Sequence, residues 1–267
     1  MKTLLAALLV AAAPAWAAWT PPANPDPRAI LNEARKDRME QRYEDALAKH
    51  VWFHREAAGI NTQMIPVRLS FALGDWGLLA AKYPPALEAL KKVRDEAAER
   101  VRAEKQLIPS FYELAAINRE LDDPVSTHEL FKLVESRDHA YARKVYPAAE
   151  AALVELGDYR AAGRFMDSAG SFESAKNIYI RMMRGDPKAD AEAEARYRAV
   201  FARSVGTTLA LLVKNGRKVE AAQLAARARE FNDAQDVEAV IKAALEGEIP
   251  PPSQTREERQ KLKEMMP

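Results

Sequence analysis

Two histidines have the spacing that most suggests metal chemistry. His50 and His54 lie four residues apart on a predicted helix, and this spacing can place two imidazoles on one metal ion. The intervening residues are Val51, Trp52 and Phe53, so His50 lacks the neighbouring glutamate of the metalloprotease motif. His50 also falls on the inward stripe of the helix, and few further ligands are visible. The sequence therefore predicts packed, hydrogen-bonded histidines, with no metal site and no cofactor.

Other catalytic patterns are missing from the sequence. The 39 aspartates and glutamates are too numerous to single out an acid–base pair. The chain contains neither GxGxxG nor GxxxxGK, the glycine-rich patterns of phosphate-binding loops. It has no cysteine, which excludes disulfides, thiolate metal sites and a cysteine nucleophile. Four serines lie outside any nucleophile-elbow context: Ser70, Ser110, Ser126 and Ser204. The sequence thus predicts a protein that is not an enzyme.

Aromatic side chains concentrate between residues 50 and 85. One interpretation is a buried core between helices, because aromatic rings contribute large apolar areas. The other is that some of these rings line a groove for a ligand. The candidate partner-binding residues are then Trp52, Trp76 and Tyr83. Alanine substitutions that abolish binding without loss of thermal stability would distinguish the second interpretation from the first.

The first 17 residues have the pattern of a cleaved signal peptide. Lys2 provides a positive start, residues 4–13 an apolar segment, and Ala15-Trp16-Ala17 a small-x-small cleavage site. The apolar segment is too short to span a bilayer, which takes about 20 residues, and no later run approaches that length. The sequence predicts export to the periplasm or the exterior as a soluble protein. The alternative is an uncleaved helix that anchors the chain in the membrane.

Charge gives no indication of a polyanionic partner. The formal net charge is +1, and removal of Lys2 with the signal peptide lowers it to 0. A neutral protein has no long-range attraction for nucleic acid or an anionic membrane. The charged residues, 30% of the chain, are spread as expected for the solvated faces of helices. The sequence therefore predicts no nucleic-acid partner and no integral membrane segment.

Prolines and glycines divide the chain into helices. Residues 18–27 are a proline-rich, extended lead-in, residues 28–247 a helical domain, and residues 248–267 a proline linker followed by a charged, frayed tail. Asp26-Pro27 and Asp123-Pro124 have the composition of helix starts, with aspartate as the cap and proline in the first turn. Helix ends or turns are predicted at four glycines: Gly74, Gly157, Gly170 and Gly216.

The segment from Leu156 to Pro187 shows the clearest helical pattern. Tyr159, Ala162, Met166 and Ala169 follow one another at intervals of three, four and three, which places them on one stripe of a helix. The same intervals recur at Phe172, Ala175, Tyr179 and Met182. We predict that the Tyr159 helix and the Phe172 helix form one hairpin, which ends at Pro187.

These residues resemble the tetratricopeptide repeat, a unit of about 34 residues in two antiparallel helices. The best match is Gly170-Ser171-Phe172-x-x-Ala175-x-x-x-Tyr179, followed by Leu156-Gly157-Asp158-Tyr159-x-x-Ala162. Weaker matches begin at Tyr43 and Gly216. The period is not kept, since Tyr159 and Phe172 are only 13 residues apart. The resemblance implies an all-α fold, an irregular α-solenoid or right-handed superhelix of antiparallel helix pairs with a concave binding surface.

That resemblance implies a function in binding. We expect an exported, non-enzymatic interaction or assembly module that binds an unidentified protein or peptide of the cell envelope on its concave surface. One alternative is an all-helical envelope enzyme acting on glycan or peptide, which would need a deep pocket with an isolated, apolar-surrounded carboxyl group. A second alternative is a self-associating structural protein. The oligomeric state stays open.

Overall fold

A computed structural model describes residues 19–266, and all regular secondary structure in that range is α-helical. The predicted signal peptide, residues 1–17, lies outside the described residues. The chain divides into two compact units at Leu79 and Ala80. The helices are α1 Pro27–Met39, α2 Tyr43–Ile60, α3 Met64–Arg68, α4 Phe71–Lys82, α5 Pro84–Arg102, α6 Leu107–Leu121, α7 Pro124–Arg137, α8 His139–Glu155, α9 Tyr159–Phe165, α10 Ser168–Gly185, α11 Ala191–Lys214, α12 Lys218–Phe231, α13 Gln235–Leu245 and α14 Arg256–Met265. The all-α prediction is confirmed for the described residues.

The two Asp-Pro sequences begin helices as predicted. Asp26 Oδ1 accepts a hydrogen bond from the Arg28 amide at 2.9 Å at the start of α1. Asp123 Oδ1 accepts from the Ser126 amide at 3.0 Å at the start of α7. In both helices the proline occupies the first turn, where a missing N–H costs nothing. Local chemistry alone is enough to fix these boundaries.

Only two of the four glycine predictions are correct. Gly157 and Gly216 have φ of 75° and 74°, the left-handed conformation that ends a helix. Gly74 and Gly170 instead lie inside α4 and α10. Helix α10 starts earlier because the Asp167 side chain caps it and accepts from the Gly170 amide at 3.1 Å. A β-carbon on Gly170 would lie 2.5 Å from Asp167 Oδ2, so glycine makes room for the cap.

The first unit buries charge as well as apolar surface. Helices α1 and α2 pack against each other, and between them Lys49 Nζ lies 2.5 Å from Asp37 Oδ2. Burial alone would lower the pKa of Lys49, but the hydrogen bonds to Asp37 and Glu33 outweigh it and raise that pKa. A buried ion pair inside an amphipathic hairpin had no signal in the sequence pattern.

The segment that begins in the first unit and runs past Leu79 into the second is unusually apolar. Met64–Lys82, which comprises α3 and α4, is 19 residues long with a mean hydropathy of 1.2 in its most apolar window. By length and composition it is the one described segment that could cross a membrane, although buried core helices meet the same criterion. The expectation that no run after residue 17 approaches that length therefore fails for this segment.

The second unit is assembled from neighbouring helix pairs. Helix α5 packs against α6, α7 against α8, and α10 against α11. The first two pairs are joined by turns of four residues or fewer. Further contacts join α6 to α8 and α11 to α13. The core of this unit includes edge-on aromatic rings, with Phe131 contacting Phe111, Tyr146 and Phe165.

The predicted hairpin between the Tyr159 and Phe172 helices is not formed. Helix α9 is only seven residues long and packs against α8 and α11, whereas α10 packs against α11 and α12. The reason lies far along the chain: Asn215 Nδ2 donates to the Tyr159 carbonyl at 2.8 Å, and Arg217 Nη1 donates to the Gly163 carbonyl at 3.1 Å. The turn between α11 and α12 therefore holds α9 in place.

The charged tail is ordered as a helix, contrary to the prediction that it is frayed. Thr255 and Glu258 form a capping box at the start of α14, each side chain accepting from the other residue's amide. Arg259 Nη2 lies 2.6 Å from Asp122 Oδ1, which ties α14 to the end of α6. The local capping pattern was present in the sequence, but the ion pair bridges 137 residues.

Candidate functional site

The second unit contains a cavity between α5, α6 and α7, which we call the α5–α7 groove. Its volume is about 300 Å³, at the lower end of the range for ligand sites. Three helices line it: α5, α6 and α7. The lining residues are Arg94, Asp95, Ala98, Arg102, Leu114, Ser126, Glu129, Leu130 and Leu133.

Helix α5 supplies a basic wall. Arg94, Ala98 and Arg102 recur at intervals of four and so share one face of the helix. Arg94 Nη1 lies 3.2 Å from Asp123 Oδ2 at the start of α7, which connects the two walls. Arg102 Nη1 lies 2.7 Å from Glu99, and its side chain is 53% exposed. One guanidinium is thus fixed across the groove and the other is solvated at its rim.

Helix α7 supplies the opposite wall and part of the floor. Ser126, Glu129, Leu130 and Leu133 recur at helical intervals. Leu130 is buried, and so is Leu114 of α6, whereas Leu133 is half-buried. Glu129 is exposed, and no described residue pairs with its carboxylate. The walls therefore carry both signs of charge around an apolar floor.

This arrangement suits binding better than bond cleavage. Fixed and solvated charges beside an apolar floor can pair with main-chain or charged groups while the floor accepts an aliphatic side chain. The Ser126 hydroxyl donates to Asp123 Oδ2 at 2.6 Å, which ties it into the helix cap. None of the lining residues is a histidine, so the groove contains no imidazole that could act as a general base toward the Ser126 hydroxyl.

A carboxyl group with a shifted pKa lies elsewhere, on α8. Burial raises the pKa of Glu150, against the lowering effect of the Tyr146 hydroxyl one turn before it. Burial and the nearby Glu150 charge likewise raise the pKa of Tyr146. Neither residue lines the α5–α7 groove. Glu150 is therefore a carboxyl group of raised pKa that lies outside that groove.

The histidine pair lies in the first unit and is packed rather than open. His50 stacks on Trp76 at 6.0 Å between ring centroids, and His54 meets the same ring edge-on at 5.9 Å. Arg68 Nη1 donates to His54 Nε2 at 3.1 Å, which places the His54 proton on Nδ1. No cluster of three metal-binding side chains occurs among residues 19–266.

The three candidate partner-binding aromatics are not brought together within one unit. Trp76 is 1% exposed, as the core interpretation expects. Trp52 is half-buried in the first unit, where its ring meets Trp19 edge-on at 6.1 Å. Tyr83 is half-buried in the second unit, at the start of α5. The sequence did not single out Arg94, Arg102 or Glu129, because each looks like an ordinary surface charge until α5 and α7 are placed side by side.

Comparison with known proteins gives no match: no family model, no curated protein and no solved structure is similar to this chain.

Proposed function

We propose that this protein is an exported, non-enzymatic interaction module that binds a peptide or protein segment of the cell envelope in the α5–α7 groove. The observation that carries the proposal is the combination of an apolar floor with charged walls on two neighbouring helices. Export is supported by the signal-peptide pattern of residues 1–17. A solenoid of the tetratricopeptide type, which the sequence motifs support, would present such a groove on its concave side.

Site-specific photocrosslinking in intact cells tests this function. A benzophenone amino acid replaces Glu129 in the groove and, as a matched control, Glu230, an exposed glutamate of α12 for which no described residue provides a partner. We expect the Glu129 position to crosslink to an envelope protein that the Glu230 position does not capture. Equal crosslinking at both positions would contradict the proposal.

The same experiment separates the two alternatives. A crosslink from position 129 to a second copy of the chain would favour the self-associating structural protein, which light scattering would then show as an oligomer. The enzyme alternative needs a deep pocket with an isolated, apolar-surrounded carboxyl group, and Glu150, whose pKa burial raises, is the candidate to test. Glu150→Gln would abolish an activity that depends on that carboxyl group but leave crosslinking at position 129 unchanged.

A further inference from the structure

The C-terminal helix α14 is held to the second unit by charge. None of its described side chains is buried. Arg259 and Lys263 are four residues apart and share one face. Arg259 Nη2 lies 2.6 Å from Asp122 Oδ1 and 3.8 Å from Glu155 Oε1. Lys263 Nζ lies 2.6 Å from the Glu120 carbonyl oxygen and 3.4 Å from its carboxylate.

The surface that receives α14 is the carboxyl end of two other helices. Glu120 and Asp122 close α6, and Glu155 is the last residue of α8. The last carbonyls of a helix lack partners within it and carry a partial negative charge. Two cations from α14 therefore meet three carboxylates and the negative ends of two helices. Apolar side chains add little, since Leu262 and Met265 are 47% and 71% exposed.

The contact is adjacent to the α5–α7 groove. Asp122 receives Arg259, and the next residue, Asp123, holds Arg94 at 3.2 Å and caps the Ser126 amide at 3.0 Å. Arg94 and Ser126 both line the groove. In the turn between α6 and α7, Asp122 thus binds α14, and the next residue, Asp123, binds Arg94 and Ser126 of the groove wall.

We propose that α14 is a reversible ionic strap that braces the α6–α7 turn beside the groove. Exposed ion pairs contribute little individually and are screened by salt, and a ten-residue helix is unstable alone. Loss or screening of the charges on Arg259 and Lys263 therefore releases the strap and melts it. The consequence for binding rests on the proposed function, but the strap itself can be tested without any ligand.

A spin label on the full chain measures the release directly. The chain has no cysteine, so Met265→Cys offers a single attachment point at an exposed position. We expect a slow, ordered spectrum at 0.01 M NaCl and a several-fold smaller ordered fraction at 1 M, where the Debye length falls from about 30 Å to about 3 Å. Lys263→Gln and Asp122→Asn should give the mobile spectrum already at low salt.

Lys261→Gln is the matched control, because Lys261 is exposed and no described residue pairs with it. It removes the same charge without removing a contact, so the ordered spectrum should persist. In parallel, hydrogen exchange of the Ser126 amide should accelerate several-fold in Lys263→Gln and not in Lys261→Gln. If the mobility of the spin label did not change with salt, or changed equally in both lysine variants, α14 would not be held by the ion pairs of Arg259 and Lys263. Release of α14 without faster exchange at Ser126 would overturn the bracing of the turn.

Discussion

The side chain of Asn215 occupies the space that a β-carbon on Gly163 would fill. A β-carbon built there would lie 1.8 Å from Asn215 Nδ2. That nitrogen donates to the carbonyl oxygens of Tyr159 and Leu211, both at 2.8 Å. The absence of a side chain at position 163 thus lets the end of α11 reach the backbone of α9.

Gly163→Ala should therefore destabilise the second unit. The added methyl group displaces the Asn215 side-chain amide and breaks its part-buried hydrogen bonds to the Tyr159 and Leu211 carbonyls, so we expect a loss of about 1–3 kcal/mol in the free energy of unfolding. Urea denaturation followed by circular dichroism measures it. Gly185→Ala in α10 is the control, since a β-carbon there meets nothing within 4 Å. A loss of similar size in both variants would show that close packing at Gly163 is not the cause.

The pH dependence of stability should reveal the burial of His50. Burial, with Arg38 and Arg35 nearby, lowers the pKa of His50 to about 3, whereas an unfolded histidine titrates near 6.5. Between those values the unfolded state binds the extra proton, so stability falls as the pH falls. From pH 7 to pH 5 the loss from this residue should be about 2 kcal/mol.

Tryptophan fluorescence can follow that unfolding, because Trp19, Trp52 and Trp76, the tryptophans after residue 17, all lie in the first unit. His50→Phe keeps a ring beside Trp76 but removes the titrating group, so its stability should change less between pH 7 and pH 5. An unchanged pH slope in His50→Phe would contradict the assignment to His50.

Removing one member of the buried pair of Asp37 and Lys49 should destabilise the protein, whereas replacing both members by apolar side chains should not. Asp37 is 2% exposed and Lys49 is 7% exposed. Asp37→Asn leaves the buried lysine charge with Glu33 as its remaining carboxylate partner, at 3.2 Å, and we expect a loss of about 2–3 kcal/mol in the free energy of unfolding. The double variant Asp37→Leu/Lys49→Met should recover most of it. As an exposed reference, Lys36→Gln removes the pair with Glu40 at 3.8 Å and should cost at most about 1 kcal/mol. A double variant no more stable than Asp37→Asn would argue against this account.

Trp76 should act in folding rather than in partner binding. Its ring is enclosed by the rings of His50 and His54, so Trp76→Ala creates a cavity and should cost about 3–5 kcal/mol. Trp52→Ala, at a half-buried position, should cost less than half of that. Thermal unfolding by circular dichroism compares them. A Trp76→Ala variant as stable as the parent would exclude Trp76 from the core.

Local chemistry made several helix boundaries predictable. The caps Asp26 and Asp123 and the left-handed turns at Gly157 and Gly216 depend on residues within five positions of one another. Gly74-Asp75-Trp76 resembles Gly157-Asp158-Tyr159 in sequence but lies inside α4, where Asp75 pairs with Arg35 at 2.6 Å. The same short pattern thus gives a turn or a helix according to contacts that lie 40 residues away.

Contacts across long stretches of chain account for what the sequence could not show. The position of α9 depends on Asn215, which lies 56 residues after Tyr159. The docking of α14 depends on Asp122. The α5–α7 groove depends on Arg94 and Glu129, which acquire a shared role only once their helices are adjacent. Periodicity predicts which face of a helix is apolar, but it does not identify the neighbour that this face contacts.

The most direct test of the central claim is the affinity of the α5–α7 groove for a peptide. Peptides selected from a random library on the parent protein would be titrated against that protein and against Glu129→Arg and Glu230→Arg. Because only the first charge reversal lies in the groove, we predict at least a tenfold weaker Kd for Glu129→Arg, about 1.4 kcal/mol, and an unchanged Kd for Glu230→Arg. Equal affinities for all three proteins would contradict binding in the groove.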